Sequence, residues 1–198
     1  MTNACTVHLV DDDAGVVKAC RYLLEGLGMV VVEWHSGEAF LAGANLAEPA
    51  AVLLDMRLPG MDGQSVHERL QAADACLGVI ILTGHGDIDM AVDSMKLGAV
   101  DFLQKPVGAE ALDRALNSAF ARARQSASER SVRQLAASLS PRERDIARRV
   151  SDGHTNRDIA EALHIAVRTV EVHRSRVVEK MGAANSAELA ALWQRIET

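Results

Sequence analysis

Five short apolar runs, each ended by polar or turn residues and leading into a helix-like stretch, constrain this chain more than any other feature. They are Val7–Val10, Val30–Trp34, Val52–Leu54, Val79–Leu82 and Val100–Leu103. Runs of this kind read as strands of a parallel sheet buried on both faces. The helical stretches lie near Val16–Leu27, Glu38–Ala44, Gln64–Ala73 and Met90–Leu97, and a fifth starts near Ala109. Gly28 and Gly98 stand where helix C-caps belong, and Ser36 can cap the second helix. Five βα units with right-handed crossovers give an α/β fold, a doubly wound five-stranded parallel sheet in flavodoxin-like order.

The residues at the end of each run matter as much as the run. Asp11 and Asp12 end the first, Asp55 the third, Thr83 the fourth, and Lys105-Pro106 come just after the last. Parallel strands bring their C-terminal ends to one edge, where such folds bind ligands. Three carboxylates, a hydroxyl and an ammonium are therefore expected in one shallow pocket. That set suits a divalent cation and a phosphoryl group, with one aspartate as acceptor. Taken singly, each residue has an ordinary reading: an acidic turn, a loop-capping threonine, a surface lysine. Their shared position at strand ends is what argues for chemistry.

The last 60 residues carry no strand pattern. Ser140-Pro141-Arg142-Glu143 combines a Ser cap, Pro at the first helical position and Glu in capping-box register. That helix runs to about Ser151 and stops at Asp152-Gly153, and a short helix runs from Thr155-Asn156-Arg157-Asp158 to near Leu163. A turn at His164-Ile165-Ala166 leads into a third helix, Val167–Met181, closed by Gly182, and Ala187–Ile196 forms a fourth. Two helices joined by a tight turn, the second long and basic, describe a helix-turn-helix within an all-α four-helix domain. Between the two regions, residues 109–139 lack Gly and Pro. Either one long helix or a helix ending in a flexible linker fits, and the helix is favoured for most of the stretch.

Charge is unevenly spread. Residues 1–108 hold 6 Lys and Arg against 15 Asp and Glu, a balance of −9, whereas residues 139–198 hold 10 against 9. The acidic half suits a cation, and the near-neutral half can approach a polyanion without strong repulsion. Cys5, Cys20 and Cys76 show no paired spacing, so neither a disulfide framework nor a zinc site is indicated, in keeping with a reducing cytoplasm. No apolar segment reaches 18 residues, so no membrane partner is expected.

Through Asp11-Asp12, Asp55, Thr83 and Lys105-Pro106, residues 1–120 resemble a response-regulator receiver domain. Residues 138–198 resemble the DNA-binding domain of the LuxR/FixJ group, through Leu139-Ser140-Pro141-Arg142-Glu143 and Arg168-Thr169-Val170-Glu171-Val172-His173-Arg174. The segment Leu82-Thr83-Gly84-His85-Gly86-Asp87 is similar to the FixJ branch in particular. Residues 121–137 are then the linker, largely helical and continuous with the last receiver helix.

The resemblance implies Asp55 as phosphoacceptor and Mg²⁺ as cofactor, with Asp12 and Asp55 as direct carboxylate ligands, Asp11 held nearby or acting through water, the backbone carbonyl of Arg57 as a further ligand, and Asp13 pointing away. It implies that a cis Lys105-Pro106 bond aims the ammonium at the phosphoryl group, that Thr83 donates to a phosphoryl oxygen, and that Phe102 swings inward with Thr83. In the second domain, Val167–Met181 is the recognition helix. Arg168, Arg174, Arg176 and Lys180 would supply cations to phosphates, Thr169 and His173 uncharged donors, and Glu171, Val172 and Ser175 base contacts, while Val170, Val177 and Val178 belong to the core. Where the family often has Asn this chain has Arg176.

The expected function is a cytoplasmic, phosphorylation-dependent transcriptional regulator rather than an enzyme. A sensor histidine kinase phosphorylates Asp55, the chain forms a homodimer, and the pair binds double-stranded DNA. Two rival functions fit less well. A Mg²⁺-dependent aspartyl-phosphate phosphohydrolase needs a general acid two residues past the nucleophile, where this chain has Arg57. A constitutive DNA-binding module with a relic receiver conflicts with the intact acidic pocket.

Overall fold

A parallel strand buried on both faces must serve two cores with alternate residues, and the central runs of this chain are apolar at every position. The computed structural model describes residues 5–84 and 95–197. Its sheet has the order β2-β1-β3-β4-β5, all parallel, from β1 (Thr6–Val10), β2 (Val30–Trp34), β3 (Ala50–Asp55), β4 (Leu77–Thr83) and β5 (Asp101–Gln104). Val7, Leu9, Ala51, Leu53, Ile80 and Leu82 enter one core with Val17 and Leu24 of α1 (Ala14–Gly26) and Leu112 and Leu116 of α4 (Ala109–Ala137). Val10, Val52, Leu54, Val79 and Ile81 enter the other, against Phe40 of α2 (Gly37–Gly43) and Val66 and Leu70 of α3 (Gly63–Ala72). Truncating one of the buried leucines or isoleucines among them to alanine costs about 2–5 kcal/mol.

Three strands, β1, β3 and β4, outrun their expected bounds and β5 is shifted by one residue, and glycine explains the start of β4. β4 begins at Leu77-Gly78, before the β-branched run, because Gly78 lies against the backbone of α4. A Cβ there would stand 2.1 Å from the Ala119 carbonyl oxygen. Glycine in a strand interior marks such an approach. Asp13 caps α1 and Ser36 caps α2, while Gly28 and Gly98 take the left-handed backbone expected of them. Of the helix expected over Met90–Leu97, residues 90–94 lie outside the described residues; Met95 and Lys96 are helical and Leu97-Gly98 turn.

The chain divides into two compact units between Ala127 and Ser128. Residues 109–137 form one unbroken helix, α4, as their lack of Gly and Pro allows. The second unit packs α5 (Pro141–Ser151), α6 (Asn156–Leu163), α7 (Val167–Lys180) and α8 (Ser186–Glu197) around Ile146, Val150, Ile159, Val170, Val177, Leu189 and Trp193. The capping box at Ser140 and Glu143 forms as the sequence predicts, and a second forms between Thr155 and Asp158. Between α6 and α7 the backbone turns on His164, which is left-handed at φ 52° despite its side chain.

Candidate functional site

Sheet register sets the site. Val10 lies opposite Leu54 and Thr83 opposite Gln104, so the residues ending β1, β3, β4 and β5 fall side by side at one edge. Asp11 continues the ladder by donating its N–H to the Trp34 carbonyl at 3.1 Å, and its Oδ1 accepts from the Asp13 N–H at 2.9 Å. Asp13 itself turns away, as expected, and accepts from the N–H groups of Gly15 and Val16. α3 seats tightly behind the end of β3, since a Cβ on Gly63 would stand 2.2 Å from the Asp55 carbonyl oxygen.

Asp11, Asp12 and Asp55 each offer an oxygen within 4.8 Å of the others. Asp11 is fully buried, Asp55 is nearly so, and Asp12 is exposed. Lys105, reached through a cis Lys105-Pro106 bond, places its Nζ 2.7 Å from Asp11 Oδ2 and 3.0 Å from Asp55 Oδ2. Burial raises the Asp11 carboxyl above its ordinary pKa, against the pull of the lysine. Burial works against the Lys105 charge, but its hydrogen bonds to Asp11 and Asp55 outweigh that and leave its pKa raised.

The donor set is entirely hard oxygen, the kind Mg²⁺ takes. Asp11 Oδ2 is buried, with the Lys105 ammonium 2.7 Å away as its cation partner. The fit to a metal ion rests on the three carboxylates, whose oxygens lie within 4.8 Å of one another. Arg57 lies two residues beyond Asp55 in the loop after β3. The Thr83 hydroxyl, buried at the end of β4, donates to the Leu103 carbonyl at 3.4 Å, and the Phe102 ring is 48 % exposed. The edge therefore joins Asp11, Asp12, Asp55 and Lys105 directly, with Thr83 turned toward β5 and Phe102 toward solvent.

In the second unit, Arg168, Thr169, Val172, Ser175 and Arg176 lie exposed along one stripe of α7, while Val170 and Val177 are fully buried and Val178 packs on the core. Arg168 pairs with Glu171 at 3.2 Å, and the Ser175 hydroxyl donates to the Glu171 carbonyl. His173 is half-buried, with a Nδ1 that has no hydrogen-bond partner among the described residues. Lys180 and Arg174, expected to face phosphates, are engaged within the protein. The Lys180 ammonium lies 2.7 Å from the Glu143 carboxylate, and this contact with the Ser140 cap lowers the Glu143 pKa to about 2. The capping box was legible in the sequence. Its lysine, 37 residues away, leaves no local signal. Among the described residues no helix is long and apolar enough to cross a membrane.

Comparison with known proteins agrees with both halves. Residues 7–117 match the response regulator receiver domain, and residues 137–193 match the luxR family of bacterial regulatory proteins. The tetrathionate response regulatory protein TtrR of Salmonella typhimurium is 50 % identical over 191 residues, covering 96 % of this chain and 93 % of that one. The transcriptional regulatory protein FixJ of Azorhizobium caulinodans is 38 % identical over 196 residues, covering 97 % and 93 %. Among solved structures, the response regulator StyR aligns with a TM-score of 0.70 at 35 % identity, over 97 % of this chain and 99 % of that one. Full-length FixJ from B. japonicum aligns with a TM-score of 0.57 at 35 % identity, over 100 % and 98 %. With the acidic strand-end pocket and the helix-turn-helix unit both in place, the chain belongs to the two-component response regulators that control transcription through a LuxR-type DNA-binding domain.

Proposed function

We propose that Asp55 is the phosphoacceptor, taking a phosphoryl group from a phosphohistidine of a sensor kinase to form an acyl phosphate. The single observation that carries this reading is the Lys105 ammonium set between Asp11 and Asp55 at 2.7 and 3.0 Å. An aspartate beside a fixed cation and two further carboxylates is a nucleophile whose attack on an anionic phosphoryl group can be neutralised. Mg²⁺, when bound, supplies further charge neutralisation, with Asp11, Asp12, Asp55 and the Arg57 carbonyl to hold it. Lys105 and the Thr83 hydroxyl then serve the phosphoryl oxygens. An exposed arginine at the position where a phosphohydrolase keeps its general acid supports regulator over enzyme.

Phosphorylation shifts an equilibrium in which Thr83 leaves the Leu103 carbonyl and Phe102 turns inward. Exposed Met95, Leu97 and Phe102 support this face as the one that pairs two receivers about a two-fold axis. The receiver comprises residues 1–120, the connection 121–137 and the DNA-binding domain 138–198, working in the cytoplasm. Arg168, Thr169, Glu171, Val172, Ser175 and Arg176 meet the duplex, with His173 and Lys180 at its margin. Asp55→Ala is expected to abolish labelling by a small-molecule phosphoryl donor while the protein stays folded. Stable phosphorylation of that variant refutes the acceptor. Sedimentation with and without BeF₃⁻ tests the pairing, which fails if both samples are equally monomeric.

A further inference from the structure

The guanidinium of Arg174 is tied at both ends. Its Nε donates to Ser186 Oγ at 2.9 Å and its terminal nitrogen donates to Asn156 Oδ1 at 2.6 Å. Asn156 is the first residue of α6 and Ser186 the first of α8, so one side chain of α7 joins the starts of two other helices. Both anchor points are themselves held. Thr155, just before Asn156, closes a capping box with Asp158. Asn185, just before Ser186, accepts from the N–H groups of Ala187 and Glu188.

The apolar contacts of α7 orient it only coarsely. Val170 and Val177 stand a turn to either side of Arg174 and are fully buried. Their burial turns one face of α7 inward and Lys180 holds its end to Glu143, but apolar contact is non-directional and leaves the last few degrees of rotation against α6 and α8 loosely set. A planar guanidinium with donors in a rigid fork is directional. Rotation of α7 decides where Val172, Ser175 and Arg176, on the exposed stripe, are aimed. Base-edge recognition depends on that aim, whereas attraction to phosphates tolerates error in it.

We propose that Arg174 is a positioning residue for DNA reading: it fixes the rotation of α7 against α6 and α8 and does not itself bind phosphate. This rests on the assignment of the unit as DNA-binding and of α7 as the helix that enters the groove. Arg174 then acts on sequence discrimination, and its charge is secondary to its shape.

The test uses the full-length chain, duplexes selected by that chain from a random pool, and random duplex as reference, each titrated over a range of salt. Arg174→Lys keeps the charge but cannot span both acceptors. It is expected to weaken binding to the selected duplex about tenfold or more, with random-duplex affinity and the salt slope unchanged. Asn156→Ala is expected to do the same, and the double variant to be no worse than the poorer single one, as coupled partners require. Asn156→Asp, which keeps an acceptor for the fork, should retain discrimination. The proposal is overturned if Arg174→Lys binds like wild type while Arg174→Ala lowers the salt slope by about one unit, the signature of a lost phosphate contact. Additive losses from Arg174 and Asn156 also overturn it. So does an equal loss on both duplexes with a lowered melting temperature, which would mark a role in folding alone.

Discussion

Replacing Lys105 by Met keeps the length of the side chain and removes the only cation that directly bridges Asp11 and Asp55 among the described residues. At separations of 2.7 and 3.0 Å, an effective dielectric of about 20 gives each attraction roughly 6 kcal/mol. The pair together exceeds what the protein can be made to lose, because a cheaper route exists. At pH 7, protonating one carboxyl of ordinary pKa near 3.9 costs about 4 kcal/mol, and at pH 5 about 1.5 kcal/mol. Burial already favours the neutral form of Asp11, so Asp11 is the group expected to take the proton. A group whose pKa is raised on folding gives stability that is present below its unfolded pKa and is lost as pH rises. Lys105→Met should therefore cost up to about 4 kcal/mol at pH 7, some 15 °C in the receiver transition, and much less at pH 5.

Calorimetry of the full chain at the two pH values measures this, the receiver transition being the one expected to respond to Mg²⁺. A divalent ion binding only the assembled pocket stabilises it by mass action. Mg²⁺ should raise the receiver transition further in the variant than in wild type, since it restores the missing charge. A variant whose stability is the same at pH 5 and pH 7, with no added response to Mg²⁺, would refute the electrostatic account of this pocket.

Three further outcomes are expected. Because Lys180 and the Ser140 cap lower the Glu143 pKa to about 2, the stability that Glu143 contributes is present above its unfolded pKa near 4.5 and is lost as pH falls toward 2. Acid unfolding of the second unit should lose that component in Glu143→Gln, which an unchanged acid profile would contradict. Gly78→Ala places a Cβ 2.1 Å from the Ala119 carbonyl oxygen and should cost at least about 1–3 kcal/mol, read by urea unfolding of the receiver. His164→Gly removes a left-handed strain of about 1–2 kcal/mol at φ 52° and adds about 0.4–1 kcal/mol of unfolded-chain freedom. A net gain of about 0.5–1 kcal/mol in the second unit is therefore expected, and a loss would show that the imidazole itself supports the turn.

The strands, their order and the strand-end residues are readable in the sequence because each signal is local. An apolar run ending in Asp55 or Thr83 announces both a buried strand and the polar edge where it stops, and parallel connections bring those edges together. Caps at Ser36 and Ser140 are legible for the same reason, since a side chain three residues from its partner N–H leaves a short pattern. Strand-end position alone is thus enough to gather Asp11, Asp12, Asp55 and Lys105 into one pocket. Only the folded chain decides how they are disposed: the Lys105 ammonium between two carboxylates, the Thr83 hydroxyl on the Leu103 carbonyl, the Phe102 ring in solvent. Rotamers depend on neighbours from other strands, and a run of residues carries no record of them.

The basic residues of α7 make the same point more sharply. In sequence Arg168, Arg174, Arg176 and Lys180 are four cations on one helix, equally suited to a phosphate. In the structure Lys180 meets Glu143 of α5, and Arg174 bridges Asn156 and Ser186. Those partners lie 37, 18 and 12 residues away. Likewise Gly78 gives no sign in the sequence of belonging to a strand, because the reason for it is the α4 backbone at Ala119, far along the chain. The sequence by itself determined the kind of sheet, the kind of second domain and the chemistry at the sheet edge, all set by periodicity and short-range bonding. Which charges face outward and which hold the helices in place is set by contacts between distant segments, and tertiary packing alone decides those.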